Sequence, residues 1–181
     1  MRYAAGVRYE LPDWDVVETP QLVGVLALTA VILGLYLTGD GGWTPILDDA
    51  NLAFHEAGHT FYGWFGQTAA LYGGVLGQLT FPLVAVAIFF VRRQPHAVVG
   101  AGVWGLQNLF NIARYMADAR ARELPLVGGT EHDFEHIFTR WGVLARDTQI
   151  AQITRGVAWV GLAVALTWLT WRWHRDRNPR W

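Results

Sequence analysis

Pro20–Thr38 (PQLVGVLALTAVILGLYLT) carries no charged residue. A run of this length is long enough to cross the hydrocarbon core of a bilayer as a helix, and a lone chain has few other ways to hide it. Ala69–Val91 and Gly156–Thr170 have the same character. The chain is 52% hydrophobic with a mean hydropathy of +0.21, and the apolar residues come in blocks. The expectation is an all-α, polytopic membrane helical bundle. About five transmembrane helices are predicted, near 22–37, 46–65, 69–91, 97–117 and 150–171, with an interfacial amphipathic helix near 130–145. Residues 1–181 read as a single membrane domain. Within it, 1–19 form a polar N-terminal arm, 119–145 a metal-site loop with the interfacial helix, and 172–181 an Arg/Trp-rich C-terminal tail. Glu10, Asp13, Asp15 and Glu18 precede the first block. That is the wrong front end for a cleaved signal peptide, so the first span is expected to stay in the chain. An odd number of spans predicts termini on opposite sides.

The second span holds the chemistry. His55-Glu56-Ala57-Gly58-His59 is an H-E-x-x-H pattern. Residues i and i+4 lie on one helix face, so two imidazoles can bind one metal ion, with the Glu beside them as a base for water. At 100° per residue, Asp48, Asn51, His55, His59 and Tyr62 share one side. Ile46, Phe54, Phe61, Trp64 and Phe65 share the other. A membrane helix with such a stripe turns it toward the bundle interior or toward water. The fourth span has a second stripe, with Gln107, Asn108, Asn111, Arg114, Tyr115 and Asp118. Arg114 and Asp118 stand i,i+4 and can pair locally, or Asp118 can serve as a metal-site oxygen. In the third span, Gly73 and Gly77 allow another helix to approach closely, and Gln78 needs a partner.

Thr130 with Asp133 resembles a capping box, which predicts a helix start. The helix opens with Glu131-His132-Asp133-Phe134-Glu135-His136, which contains H-x-x-E-H, the inverted form of the zincin motif. Phe134, Ile137, Phe138, Trp141 and Leu144 fall opposite His132 and His136. The predicted metal ligands are therefore His55, His59 and Asp118, with His132 and His136 as alternatives for the third. Glu56 is the predicted catalytic base. Asn108, Asn111 and Arg114 are candidates for holding substrate or an oxyanion. Zn²⁺ is the expected cofactor, since it takes three protein ligands plus water at a catalytic site. Absence of Cys removes disulfides, Fe–S clusters and thiolate ligands from consideration. All 14 basic residues are Arg, and a net charge of −1 gives no nucleic-acid footprint.

These residues resemble the site-2 protease group of intramembrane zinc metallopeptidases. The likeness rests on HEAGH at 55–59, on Gly73-Gly74-x-x-Gly77 opening the next span, and on Asn111…Asp118, and it covers about residues 46–118. It implies that His55, His59 and Asp118 bind zinc and that Glu56 is the base. The chain departs from the group's third motif, with no Pro between Asn111 and Asp118 and with Ala119 after Asp118. The expected function is a membrane-embedded, peptidase-like zinc metallohydrolase of a multi-pass protein, in a bacterial inner membrane. Its expected partners are the lipid bilayer, a membrane-protein or peptide substrate, and a larger membrane complex. Two other readings stand beside it. One is a membrane di-iron oxidoreductase using both H-x-x-x-H pairs and two Fe. The other is a non-catalytic metal-binding accessory subunit.

Overall fold

A computed structural model describes residues 13–127 and 131–178. Every regular element among them is helical. They are α1 (Thr19–Thr38), α2 (Leu47–Gly63), α3 (Gln67–Val91), α4 (Pro95–Ala117), α5 (Asp133–Arg140) and α6 (Asp147–Arg177), with 3-10 turns at Asp40–Gly42 and Leu144–Arg146. Thr130, the expected cap, lies outside the described residues. The helix starts at Asp133, and His132 caps it, its side chain accepting from the Glu135 amide at 3.4 Å.

Three helical segments are long and apolar enough to cross a membrane: Thr19–Thr38, Gln67–Val91 and Leu144–Arg177. This is fewer than the five that the sequence pattern predicts. The helices α2 and α4 fall short because each gives one face to polar residues. With 17 residues, α2 is also only about 25 Å long at 1.5 Å per residue, against a core of about 30 Å.

Contacts along the helices fix their directions. Near its start, α1 meets the start of α4, where the Asp15 amide donates to the Arg93 carbonyl at 2.9 Å. Near its end, Tyr36 packs on Phe110, with ring centroids 4.6 Å apart. The two helices therefore run the same way. The last long helix, α6, runs against both: Trp173 Nε1 donates to Thr19 Oγ1 at 3.2 Å, and Trp159 packs on Phe110 and Tyr36. In turn α3 opposes α4, with Gln78 bonded to Asn111 and Pro82 against Gly105. Finally α2 opposes α3, since Phe54 stacks on Phe81 while His59 reaches Ala70.

So α1 and α2 run in the same direction, although only residues 39–46 join them. Such a connection reaches roughly 28 Å when fully extended, and part of this one is coiled into the 3-10 turn. The consequence is that α2 begins partway down the bundle, beside Gln107 of α4. The start of α1 and the end of α6 lie side by side, with the Val17 amide donating to Asp176 Oδ2 at 3.0 Å. The described ends of the chain therefore lie at one end of the bundle, against the expectation of opposite sides. Residues 13–18 of the expected polar arm are docked here, with Trp14 against Phe90 and Trp168. The expected tail is largely α6 itself, where Arg172 is buried and bonds the Asp15 carbonyl.

Glycines let α2 reach α3. A Cβ at Gly58 would collide with the Gly73 carbonyl and come within 2.9 Å of Gly77 Cα, and one at Gly77 would collide with the Phe54 carbonyl. Backbone therefore lies on backbone, a contact that only Gly permits at these positions. On the far side, α5 buries Phe134, Ile137 and Phe138 against Ile112 and Ala119. This is the apolar face expected from the sequence, and it rests on the bundle.

Two outcomes follow for experiment. Gly77→Leu is expected to separate α2 from α3, lowering the thermal midpoint in detergent. The chain has no Cys, so single cysteines report topology cleanly. Asp13→Cys and Asn178→Cys should react with an impermeant thiol reagent from the same side of sealed vesicles, and Glu123→Cys from the other.

Candidate metal centre

The amphipathic pattern of α2 is realised in the bundle. Asp48, Asn51 and His55 are buried, while Ile46, Phe61, Trp64 and Phe65 are exposed. His55 and His59 sit one turn apart, with ring centroids 4.9 Å apart. His55 Nε2 lies 2.8 Å and His59 Nε2 3.1 Å from one oxygen, Oδ2 of Asp133. These three ligand atoms lie within 4.8 Å of one another. Ligand atoms on a tetrahedral zinc, each about 2.0 Å from the ion, stand roughly 3.3 Å apart. The cluster is thus close to the size a zinc site needs.

Proton placement sharpens this fit. The Nδ1 of His59 is 2.8 Å from the Ala70 carbonyl. A carbonyl only accepts, so Nδ1 donates to it, and Nε2 is the nitrogen turned to Asp133. The Nδ1 of His55 is 3.2 Å from Gln78 Oε1, again an acceptor. Both imidazoles therefore present Nε2 to a carboxylate oxygen. Three electron-rich atoms face one point, an arrangement that calls for a cation between them, either protons or a metal. Burial pushes the Asp133 carboxyl up, yet the contacts with His55 and His59 outweigh it and hold the group at about 2. Gly74 completes the wall, because a Cβ there would collide with the His55 ring.

Asp118, the expected third ligand, is elsewhere. Its carboxylate accepts from the Glu123 amide at 2.8 Å and the Leu124 amide at 3.1 Å, and it lies 3.4 Å from His132 Nε2. It turns the chain out of α4 and shapes the loop, and it has no contact with the His55–His59 pair among those found. His132 is buried, stacked on Tyr115 with centroids 4.1 Å apart, and burial holds its imidazole below the usual range. His136 points to the surface near Glu131. The structure therefore brings His55, His59 and Asp133 together, and it does not bring in Asp118, His132 or His136. Asp133 stands inside the H-x-x-E-H hexapeptide. The usable signal was its place in the first turn of a helix whose apolar face has to dock on α4.

A cavity of about 270 Å³ opens beside His55. Glu56, Asn111, Arg114 and Tyr115 line it, with Trp43 and the segment Leu124–Val127 as apolar walls. The Tyr115 hydroxyl accepts from the Asp133 amide at 3.1 Å and so ties α5 to α4. Arg114 donates to the Gly41 carbonyl at 3.0 Å and lies over Trp43, and it does not pair with Asp118. Asn108 turns from the cavity and donates to the Trp104 carbonyl at 3.2 Å. Of the three expected substrate contacts, Asn111 and Arg114 reach the cavity and Asn108 does not.

No family model, curated protein or solved structure matches this chain.

If the cluster holds the metal, Asp133→Asn should lower zinc content at least tenfold by elemental analysis of the purified protein, while Asp118→Asn should leave it near wild type. Gly74→Ala should weaken zinc binding by displacing the His55 ring, with the helical circular dichroism unchanged.

Proposed function

We propose that this chain is a membrane-embedded, zinc-dependent metallohydrolase, peptidase-like in chemistry. The observation that carries the reading is the convergence of His55 Nε2, His59 Nε2 and Asp133 Oδ2 beside a cavity that Glu56 lines. Two imidazoles and one carboxylate form the ligand set of a catalytic zinc with one position open. A zinc ion held there would act as a Lewis acid and bring the pKa of water to about 7.

The chain's own groups then divide the work. Glu56 lies next to His55 in sequence and on the same cavity, where it takes a proton from the attacking water and returns it to the leaving group. Arg114, fixed by Gly41, faces the cavity as a cation for an oxyanion or a substrate carboxylate. The walls made by Trp43, Leu52 and Leu124–Val127 suit an apolar peptide segment and keep bulk water from the site. The likeness to site-2 proteases supports the H-E-x-x-H assignment, with the oxygen ligand supplied by Asp133 in place of Asp118.

Multi-pass insertion belongs to the same proposal. In it α1, α3, α4 and α6 cross the bilayer, and α2 enters without crossing. A helical bundle of this kind suits an inner-membrane type of bilayer, bacterial by this reading. The substrate is a membrane protein or peptide within reach of the cavity. The di-iron alternative needs both H-x-x-x-H pairs on one site, and here His132 faces Asp118 while His136 faces Glu131 at the surface.

Glu56→Gln provides the test. Zinc content should stay at wild type, while hydrolysis of an apolar peptide substrate falls by about 10²–10⁴-fold, the usual worth of a positioned base. Undiminished hydrolysis would remove Glu56 from the mechanism. Zinc retained with no hydrolysis even in the wild type would favour the accessory-subunit reading.

A further inference from the structure

Arg114 is a fixed cation without an anion. It stands near the end of α4, partly buried, on the wall of the cavity beside His55. Its Nε donates to the Gly41 carbonyl at 3.0 Å, and its guanidinium lies over the Trp43 ring at 5.5 Å. Among the described residues these are its partners, and neither carries a negative charge. Asp118, one turn on, is taken by the amides of Glu123 and Leu124. Glu56 is the carboxylate on the cavity wall, and it forms no ion pair with Arg114 among the described residues. Gly41 seats the side chain: its φ is +58°, and a Cβ there would stand 3.4 Å from Nε and 3.5 Å from Nη2. The left-handed turn thus offers the guanidinium both a carbonyl and a bare face. With Nε spent on Gly41, the Nη groups remain as a planar fork suited to the two oxygens of a carboxylate.

The cavity says what else the ligand must be. Its volume of about 270 Å³ is small for a ligand site. It has room for the end of a chain and not for a long extended run. Trp43, Leu52 and Leu124–Val127 make it apolar. A short apolar group ending in a carboxylate fits these walls, and the C-terminus of an apolar peptide is such a group. An oxyanion fits Arg114 less well. It would form at the carbonyl under attack, beside His55, and there Tyr115 is the nearer group of α4. The Tyr115 and His55 ring centroids are 5.8 Å apart, and the Tyr115 hydroxyl meets the Asp133 amide. Arg114 is drawn instead to the 41–43 turn, so the charge it meets lies away from the bond being cut.

We infer that the cavity takes the free C-terminus of an apolar peptide, with Arg114 gripping the terminal carboxylate, so that the chain trims peptides from that end. The cutting rests on the proposed hydrolase reading; the grip does not. The bond cut is the last amide or the one before it. Water adds to its carbonyl carbon, the C–N bond breaks, and the proton that Glu56 took from the water goes to the departing amine.

Binding is tested by isothermal titration on the detergent-purified full chain carrying Glu56→Gln, so that turnover does not interfere. The probes are acetyl-leucyl-leucine, its C-terminal amide, and the α-amide of acetyl-leucyl-glutamic acid. The free acid should bind about 10-fold to 100-fold more tightly than its amide, the usual worth of charge-assisted hydrogen bonds. Adding Arg114→Gln should abolish that advantage, and Arg114→Lys should keep part of it. The glutamic acid probe carries a carboxylate on its side chain and a blocked end, and it should bind like the amide. For cleavage, wild type should release leucine or leucyl-leucine from acetyl-tetraleucine, read by mass spectrometry. Its kcat/KM on the amidated peptide should be lower by a similar factor.

Equal binding of acid and amide overturns the inference, and that comparison stands even if Arg114→Gln fails to fold. A preference that survives Arg114→Gln in a folded chain overturns it as well. Tight binding of the glutamic acid probe overturns the assignment to a chain end. Internal cuts made equally fast in free and amidated peptides overturn it while leaving the hydrolase reading in place. An acid preference with no cleavage of any peptide overturns the hydrolase reading and supports the grip of Arg114.

Discussion

The contact of Gly58 with Gly73 and Gly77 governs the architecture. It brings a short helix with a polar face to backbone distance from a long apolar one. Once α2 lies that close to α3, its polar stripe has nowhere to go except toward α4. The stripe on α4 then has to answer it group for group. Each buried polar group left without a partner costs about 1–3 kcal/mol; Asp48, Asn51, Trp104 and Gln107 meet in one bonded set, and Asn111, Gln78 and His55 in another. The same approach places Gly74 against the His55 ring and the Ala70 carbonyl against His59. Helix packing and ligand orientation are in this way one constraint.

The oxygen of the centre arrives by a different route. After α4 the chain has to reverse, and Asp118 does this by accepting two amides of the following loop. The apolar face of α5 then docks on Ile112 and Ala119. Tyr115 receives the Asp133 amide, and His132 fills the space above the Tyr115 ring. Those contacts fix the depth of α5, and with it the reach of Asp133. The loop that Asp118 shapes also walls the cavity. A residue expected to bind a metal instead builds the structure from which Asp133 reaches the two imidazoles.

Much of this was legible in the chain itself. The charge-free runs specified α1 and α3 to within two residues, because a long apolar helix has a strong local signature, while α6 extends well beyond its run at both ends. The His, Asn and Asp spacing of α2 told which face would turn inward, since 100° per residue is a local property of a helix. Glycines at 73 and 77 announced a close approach, although not the identity of the partner. The level at which α2 begins was not legible. A polar-striped helix reads much like a span, and only its direction relative to α1 shows that it starts partway down the bundle.

Sequence alone determined that this chain is helical and largely apolar, and that His55, Glu56 and His59 share one exposed-to-interior face. These depend on neighbours within two turns of helix. Tertiary structure decided that Asp133 meets the two imidazoles while Asp118 does not. The two carboxylates lie on either side of a loop, and the choice between them depends on where α5 comes to rest. It also decided the orientation of His55. That depends on two amides and an imidazole from three helices meeting in one order, which no spacing along the chain records.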